Sequence, residues 1–399
     1  MTVGDGLSMV RRALVVAENT ARNLAVPASN LAISYVVISA SSPELWGRFA
    51  VLLVVVGLCV HLLAWGNKEY LLRAMSADPG SVAALWQSSI VTRSLGLPAV
   101  LLALAVFGFA PGQLGWLAGW IVLAFVFQSL DVVVLYAHRF RLAIAAEIAG
   151  LATTLAVILG SGATLDEGGV ITAWVAGVLV KTTVLLVGLA PTIGDGWSPR
   201  VELRHLRQTL PFVLLGLSGM LQSRIDLFAM AFLAEPADMG RYQVTIGIYI
   251  ALQAIAGFVM TPFVREFYLR SDAETRAVAP RLTAGGAWVA VVSAPAVWFV
   301  LNGLYHFDFS WPVFAVGALL VVPVYRSLPR VYLLYKHGRE KSVVLVSLLG
   351  AVVNLVLAVA LIPRWSIVGG LTAAAASQWL TLVCYEILAR NERSPGSTS

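Results

Sequence analysis

The chain has 399 residues, of which 59% are hydrophobic and only 12% charged, with a mean hydropathy of +0.84 and a net charge of +6. A soluble domain carries roughly 25% charged residues, so the composition excludes a soluble globular class and points to an integral membrane protein. The residue alternation of a transmembrane barrel is absent, and the basic excess reads as membrane topology rather than nucleic-acid binding.

The first 22 residues carry Arg11 and Arg12 but no apolar signal core followed by a small-residue cleavage site. LSMVRRALVVAENTARN reads as an amphipathic lead-in lying on the membrane surface. A hydrocarbon core of about 30 Å takes about 20 helical residues. That ruler predicts twelve spans, at 23–41, 49–66, 85–108, 115–136, 142–161, 169–190, 210–233, 242–263, 282–302, 312–334, 342–362 and 367–388. Runs such as GWLAGWIVLAFVF and VVLVSLLGAVVNLVLAVALI satisfy their backbone in lipid as helices. The predicted organisation is a cytoplasmic lead-in (1–22), a six-helix bundle (23–190), a cytoplasmic linker (191–209), a second six-helix bundle (210–388) and a disordered cytoplasmic tail (389–399). The linker, in PTIGDGWSPRVELRHLRQTL, opens with Gly, Pro and Ser and closes with a basic, helix-like piece. Cys59 and Cys384 fall inside apolar runs, give no metal or disulfide spacing, and read as packing residues.

Orientation follows from the basic residues in the connections. With a cytoplasmic N-terminus, nineteen lie in inner segments, from Arg11, Arg12 and Arg22 through Lys68 and Arg73 to Arg390 and Arg393. Three, Arg48, Arg241 and Arg364, lie in outer segments, and the other five of the 27 lie inside spans. This bias supports twelve spans with both termini cytoplasmic.

A short pattern recurs. Residues 42–49 read SPELWGRF and residues 235–242 read EPADMGRY, both P-x-x-x-G-R followed by an aromatic ring. The first falls between spans one and two, the second between spans seven and eight. Seven is one plus six, so the expectation is two parallel six-helix bundles related by a pseudo-two-fold axis along the membrane normal. NKEYLLR after span two and TPFVREF after span eight extend the correspondence. The motif reads as an outer loop, with proline breaking the helix and glycine permitting a tight turn. Arg48 and Arg241 read as surface anchors or gate contacts.

The first hairpin, SPELWGRFAVLLVVVGLCVHLLAWGNKEYLLR, and the seventh-span segment RIDLFAMAFLAEPADMGRYQV resemble the polysaccharide (O-antigen type) flippases of the multidrug/oligosaccharidyl-lipid/polysaccharide exporter superfamily. The resemblance runs over nearly the whole chain as a pattern of helices. It implies a bacterial inner-membrane protein that moves a polyprenyl-diphosphate-linked oligosaccharide from the inner to the outer leaflet, alongside polymer-assembly proteins. Twelve spans rather than fourteen set the chain apart from the lipid II flippase branch, whose extra helices form a lipid groove.

Ionisable side chains inside a span are costly and face a cavity or a partner. Spans three to seven and ten carry Arg93, Asp131, Glu147, Lys181, Arg224, Asp226, Arg326 and Arg330, and His61 lies in span two. At about 1.5 Å per residue, Arg224 and Asp226 sit near mid-membrane and Lys181 and Arg326 in the inner half. Arg93, Asp131, Glu147 and Arg330 sit nearer the cytoplasmic edge, where snorkelling to the interface also accounts for a charge. Arg224 and Asp226 are two residues apart and point to different faces, and Asp226 aligns with Gln222. Bases outnumber acids five to three. A guanidinium can engage two phosphate oxygens at once, so Arg224, Arg326, Lys181, Arg93 and Arg330 are the candidate ligands for an anionic head group. Asp131, Asp226 and Glu147 are candidate proton or sodium sites, or else neutralise a neighbouring arginine. Asn23, Asn30, Ser34 and Gln128 are candidate cavity lining, with interhelical hydrogen bonding as the alternative; Asn354 and Gln378 stand under the same choice. Prolines in or near the spans, Pro27, Pro98, Pro211, Pro262, Pro295, Pro323 and Pro329, are candidate bending points.

No phosphate-binding G-x-x-x-x-G-K-[ST] loop occurs, so transport would draw on an ion or substrate gradient, through rocking of the two halves. The expected partners are the lipid-linked glycan and membrane lipid, with no cofactor, metal or nucleic acid. The alternatives are an ion-coupled multidrug or small-molecule exporter of the same superfamily, and a membrane polysaccharide polymerase or glycosyltransferase. The short outer loops, whose acidic pair is Asp166 and Glu167, weigh against an enzyme.

Overall fold

The structure, a computed structural model, describes residues 3–106, 111–194, 197, 199–260 and 271–390. Its elements are helices, and no strand occurs among the described residues. In chain order they are α1 (Val3–Ala40), α2 (Pro43–Ala64), α3 (Asn67–Ala77), α4 (Val82–Ser94), α5 (Leu97–Val106), α6 (Pro111–Tyr136) and α7 (Phe140–Ser161). There follow α8 (Glu167–Ile193), α9 (Leu203–Leu233), α10 (Pro236–Met260), α11 (Asp272–Trp298), α12 (Trp311–Lys336) and α13 (Glu340–Arg390).

Ten helical stretches among the described residues are long and apolar enough to cross a membrane. The difference from twelve has two sources. Glu340–Ala389 counts once among the ten, yet it reverses at Ser366, where φ is 43°. Ser377 Oγ donates to Gly350 O at 2.7 Å and Ser347 Oγ lies 3.2 Å from Tyr385 Oη, so the two limbs run antiparallel and make two passes. The other source is α10, 25 residues long but not among the ten. The chain is an all-α integral membrane protein.

Several boundaries differ from expectation. NKEYLLR, expected to close the second span, instead starts α3, a short helix led in by Gly66 at φ 59°. The third span is broken at Leu95–Gly96 into α4 and α5. The lead-in is continuous with the first span in the 38-residue α1. TPFVREF and Pro262 lie outside the described residues, as does the tail beyond Arg390.

The largest correction concerns the repeated motif, which is not a loop in either copy. Pro43 and Pro236 are the first residues of α2 and α10, where proline's missing N–H costs nothing and its φ suits the helix. Neither glycine is among the left-handed residues. Their role is close packing. A methyl group on Gly47 would overlap the Pro236 carbonyl and lie 3.0 Å from Gly240 N, and one on Gly240 would overlap the Pro43 carbonyl. The two copies of the motif thus pack backbone against backbone. Trp46, fully buried, donates Nε1–H to Gln243 Oε1 at 2.9 Å beside this contact.

The chain divides into two compact units, Met1–Ser41 with Leu52–Leu217, and Ser42–Val51 with Ser218–Ser399. The first unit is built round Trp86, Leu130, Val133, Phe140, Leu185 and Leu189. Trp86 Nε1–H donates to Ser129 O at 3.1 Å, and Gln87 Nε2–H to Ile193 O at 3.0 Å. In the second unit, Tyr325 Oη–H donates to Leu252 O and Gln253 Nε2–H to Leu320 O, both at 2.8 Å, tying α10 to α12. Trp379 Nε1–H donates to Leu319 O at 3.0 Å, tying the second limb of α13 to α12.

Candidate functional site

Within the first unit the structure sorts the predicted charges into three groups. Arg93 on α4 is 4% exposed, with its guanidinium committed to the protein interior. It donates from Nε to Ser89 O and Oγ, from Nη1 to Ala64 O at 3.4 Å and from Nη2 to Ser129 Oγ at 3.0 Å. It also lies 4.9 Å from the centre of the Phe125 ring. This arginine bridges the end of α2 to α6; its bonds go to protein groups.

Asp131 on α6 pairs with Arg22 of α1 and, at 3.4 Å, with Lys68 of α3. Two cations share one carboxylate. Lys68 and the exposed Gln128 also line a cavity of about 210 Å³, together with His61, Asn67 and the α9 residues Phe212, Val213 and Gly216.

Glu147 on α7 and Lys181 on α8 form a pair at 3.4 Å, and the Lys181 ammonium sits 4.7 Å from the centre of the Phe127 ring. A cleft of about 20 Å³ beside them is lined by Ser29, Asn30, Thr154 and Trp174 among others, room for about one water. Lys181, read from the sequence as a substrate ligand, therefore has its charge matched locally. Of the α1 stripe, Asn30 lines this cleft. Asn23 donates to Asn19 at 3.4 Å, and Ser34 donates to Leu31 O at 2.9 Å in its own helix.

In the second unit, Arg224 and Asp226 diverge on α9. Asp226 is 1% exposed and accepts a short hydrogen bond from Tyr242 Oη of α10, itself fully buried. Asn354 of the first α13 limb hydrogen-bonds to it as well. Gln222, one turn before Asp226, instead donates to Thr381 Oγ1 at 3.2 Å. Arg224 is exposed, with no direct hydrogen bond or salt bridge among the described residues, and interacts electrostatically with Asp226 and Tyr242.

Arg326 and Arg330, one turn apart on α12, converge on Glu386 in the second limb of α13. Arg326 Nε lies 2.5 Å and Arg330 Nη2 4.0 Å from the same Oε1. The sequence reading missed Glu386, which adds a fourth acid to the spans. It sits 60 residues from Arg326, and only the packing of α12 against α13 brings the two together. Tyr242, the aromatic of the second motif copy, and the basic residues Arg22 and Lys68 stand out in the sequence, but their pairing with Asp226 and Asp131 does not. Among the described residues no group of three His, Cys, Asp or Glu side chains is placed to hold a metal ion.

The arrangement defines a polytopic helical membrane protein with paired charges inside its spans. Its fold is found among solved structures at low sequence identity. It is similar to the lipid II flippase MurJ in an inward closed conformation, with a TM-score of 0.65 and 12% identity over 92% of this chain and 87% of that one. It is similar to the MATE multidrug transporter DinF-BH, with a TM-score of 0.60 and 15% identity over 96% and 95% of the two chains. A eukaryotic MATE transporter, AtDTX14, gives 0.56 and 13% over 96% and 98%. No protein-family model matches the chain, and no curated protein matches it by sequence.

Proposed function

We propose that this chain is a flippase that carries a polyprenyl-diphosphate-linked oligosaccharide from the inner to the outer leaflet of the bacterial cytoplasmic membrane by alternating access, for surface polysaccharide assembly. One observation carries the reading. Arg224, near the middle of a spanning helix, is exposed and keeps its guanidinium out of direct hydrogen bonds and salt bridges among the described residues, with Asp226 as its neighbouring opposite charge. Lipid tails offer such a charge nothing, so it calls for an anionic ligand, and a diphosphate suits the guanidinium fork. The likeness of fold to a lipid II flippase is consistent with this. Arg326 and Arg330 add a second basic group, while Arg93 and Lys181 are engaged by the protein and recede as ligands. Asp226, in its buried bond with Tyr242, is the foremost candidate for ion coupling, ahead of Glu147 and Asp131.

A multidrug exporter, the reading suggested by the MATE likeness, would need an uncompensated acid in the spans to take a cationic cargo. Here Glu147 and Glu386 are ion-paired with Lys181 and Arg326, while Asp226 is hydrogen-bonded to the neutral Tyr242 and Asn354 and lies in the field of Arg224. The test is deletion in the native bacterium, with complementation by wild type and by Arg224→Ala. Lipid-linked oligosaccharide is expected to accumulate in the inner leaflet, surface polysaccharide to be lost, and Arg224→Ala to restore little of it. Accumulation of unpolymerised units on the outer leaflet points to a polymerase instead.

A further inference from the structure

Arg326 and Arg330 stand one turn apart on α12, a spacing at which like charges repel, and both face the single oxygen Oε1 of Glu386. The geometry is uneven. Arg326 has the close contact at 2.5 Å, while Arg330 stands at 4.0 Å. Arg326 remains 41% exposed on its side chain, while Glu386 is 14% exposed. The two guanidiniums, each able to hold two oxygens in parallel, share this one oxygen, and the buried Nε of Arg330 makes no hydrogen bond among the described residues. It is built like an oxyanion site whose place is held by a tethered carboxylate.

We propose that Glu386 is the resident counter-anion of a phosphate- or diphosphate-binding site formed by Arg326 and Arg330, and that the incoming oxyanion displaces it. The proposal rests on the flippase reading and gives it a gate for ligand choice. In the empty state the carboxylate offsets the cost of two guanidiniums within the membrane. It also sets a threshold, because an arriving anion must outcompete a carboxylate already tethered in place. A singly charged anion does this poorly. A diphosphate, with more charge and oxygens for both forks, does it well. Glu386 therefore acts as a specificity residue, favouring diphosphate over lesser anions without being a ligand itself.

The test uses purified full-length protein in phosphatidylcholine nanodiscs, titrated calorimetrically with inorganic phosphate, inorganic pyrophosphate and farnesyl diphosphate, with farnesol as the uncharged control. Wild type is expected to prefer pyrophosphate to phosphate. Glu386→Gln, which keeps the shape and removes the charge, is expected to bind pyrophosphate about tenfold more tightly and to discriminate less against phosphate. Glu386→Asp is expected to fall between the two, and Arg326→Ala to lose at least tenfold. Thermal unfolding of each variant shows that it is folded. Tighter binding of farnesyl diphosphate than of pyrophosphate assigns the ligand to a lipid-linked source, and equal binding assigns it to a free one. If Arg326→Ala weakens binding but Glu386→Gln leaves it unchanged or weaker, Glu386 is a structural partner and the displacement idea fails while the flippase reading stands. If Arg326→Ala changes nothing, the oxyanion site is elsewhere and the proposal fails. If neither wild type nor Glu386→Gln binds any of the three anions, both readings fall together.

Discussion

Gly47→Ala offers a sharp test of how the repeated motif is used. A Cβ at Gly47 would overlap the Pro236 carbonyl oxygen and lie 2.6 Å from its carbon. The obstacle is the backbone of α10, which cannot swing aside as a side chain would. Overpacking costs about 1–3 kcal/mol, and a backbone obstacle belongs at the upper end, about 3 kcal/mol. Against this, alanine is favoured over glycine in a helix by about 1 kcal/mol. Gly57, in the same helix, has nothing within 4 Å of its added Cβ, so Gly57→Ala gains the same propensity with no clash. The difference between the two variants isolates the contact at about 3 kcal/mol. With about 2–4 °C of Tm per kcal/mol for a unit of this size, Gly47→Ala should unfold at least about 6 °C below Gly57→Ala in detergent. Gly240→Ala, facing the Pro43 carbonyl, should shift the same way. Equal Tm values for Gly47→Ala and Gly57→Ala would refute the backbone contact and restore the motif to an ordinary helix start.

Arg93→Ala leaves the acceptors at Ala64, Ser89 and Ser129 without their donor; a loss of about 3 kcal/mol is expected from breaking a buried charged network, seen as lower folded yield and Tm, and Arg93→Lys should recover only part because it lacks the planar fork. Asp226→Asn keeps the contact with Tyr242 while removing the charge; transport assayed in proteoliposomes should lose its dependence on an imposed proton or sodium gradient, with Tm little changed. Asp272, outside the spans, is raised by its burial, but hydrogen bonds from Lys336 at 3.0 Å and His337 at 2.9 Å outweigh this and hold its carboxyl below the usual range. Its contribution is therefore present above the unfolded carboxyl pKa of about 3.9 and fades as pH falls through the lower folded value. Asp272→Asn should cost stability at pH 7, within about 1 kcal/mol for a pair this open, and the gap from wild type should close in unfolding curves taken toward pH 3.

The helices were legible because apolar length alone identifies a membrane span. The motif was legible as a repeat but not as a contact. Proline marks a break and a helix's first turn equally well, and nothing local in PELWGR says that Gly47 meets the backbone of a segment 193 residues on. The charges were legible as unusual, but their partners were not. Arg93 and Arg224 look alike in sequence, each a lone arginine in a span. Only packing reveals that one is saturated by Ser89, Ser129 and Ala64 while the other is exposed. Glu386 was passed over because it falls within a turn or so of the end of the last span, where a carboxylate reaches water at little cost.

The pairings also show what has diverged between the halves. By the six-helix offset of the motif, the fourth span, carrying Asp131, corresponds to the tenth, carrying Arg326 and Arg330. In the first unit one acid on that helix gathers two cations, Arg22 and Lys68, from other helices. In the second unit two cations on it gather one acid, Glu386. The signs are exchanged but the pairings are two to one in both. Conservation of packing alone would favour complementary pairs of one acid and one base, as in Glu147 and Lys181. Two departures from that pattern, one in each unit, accord with the anionic cargo proposed above.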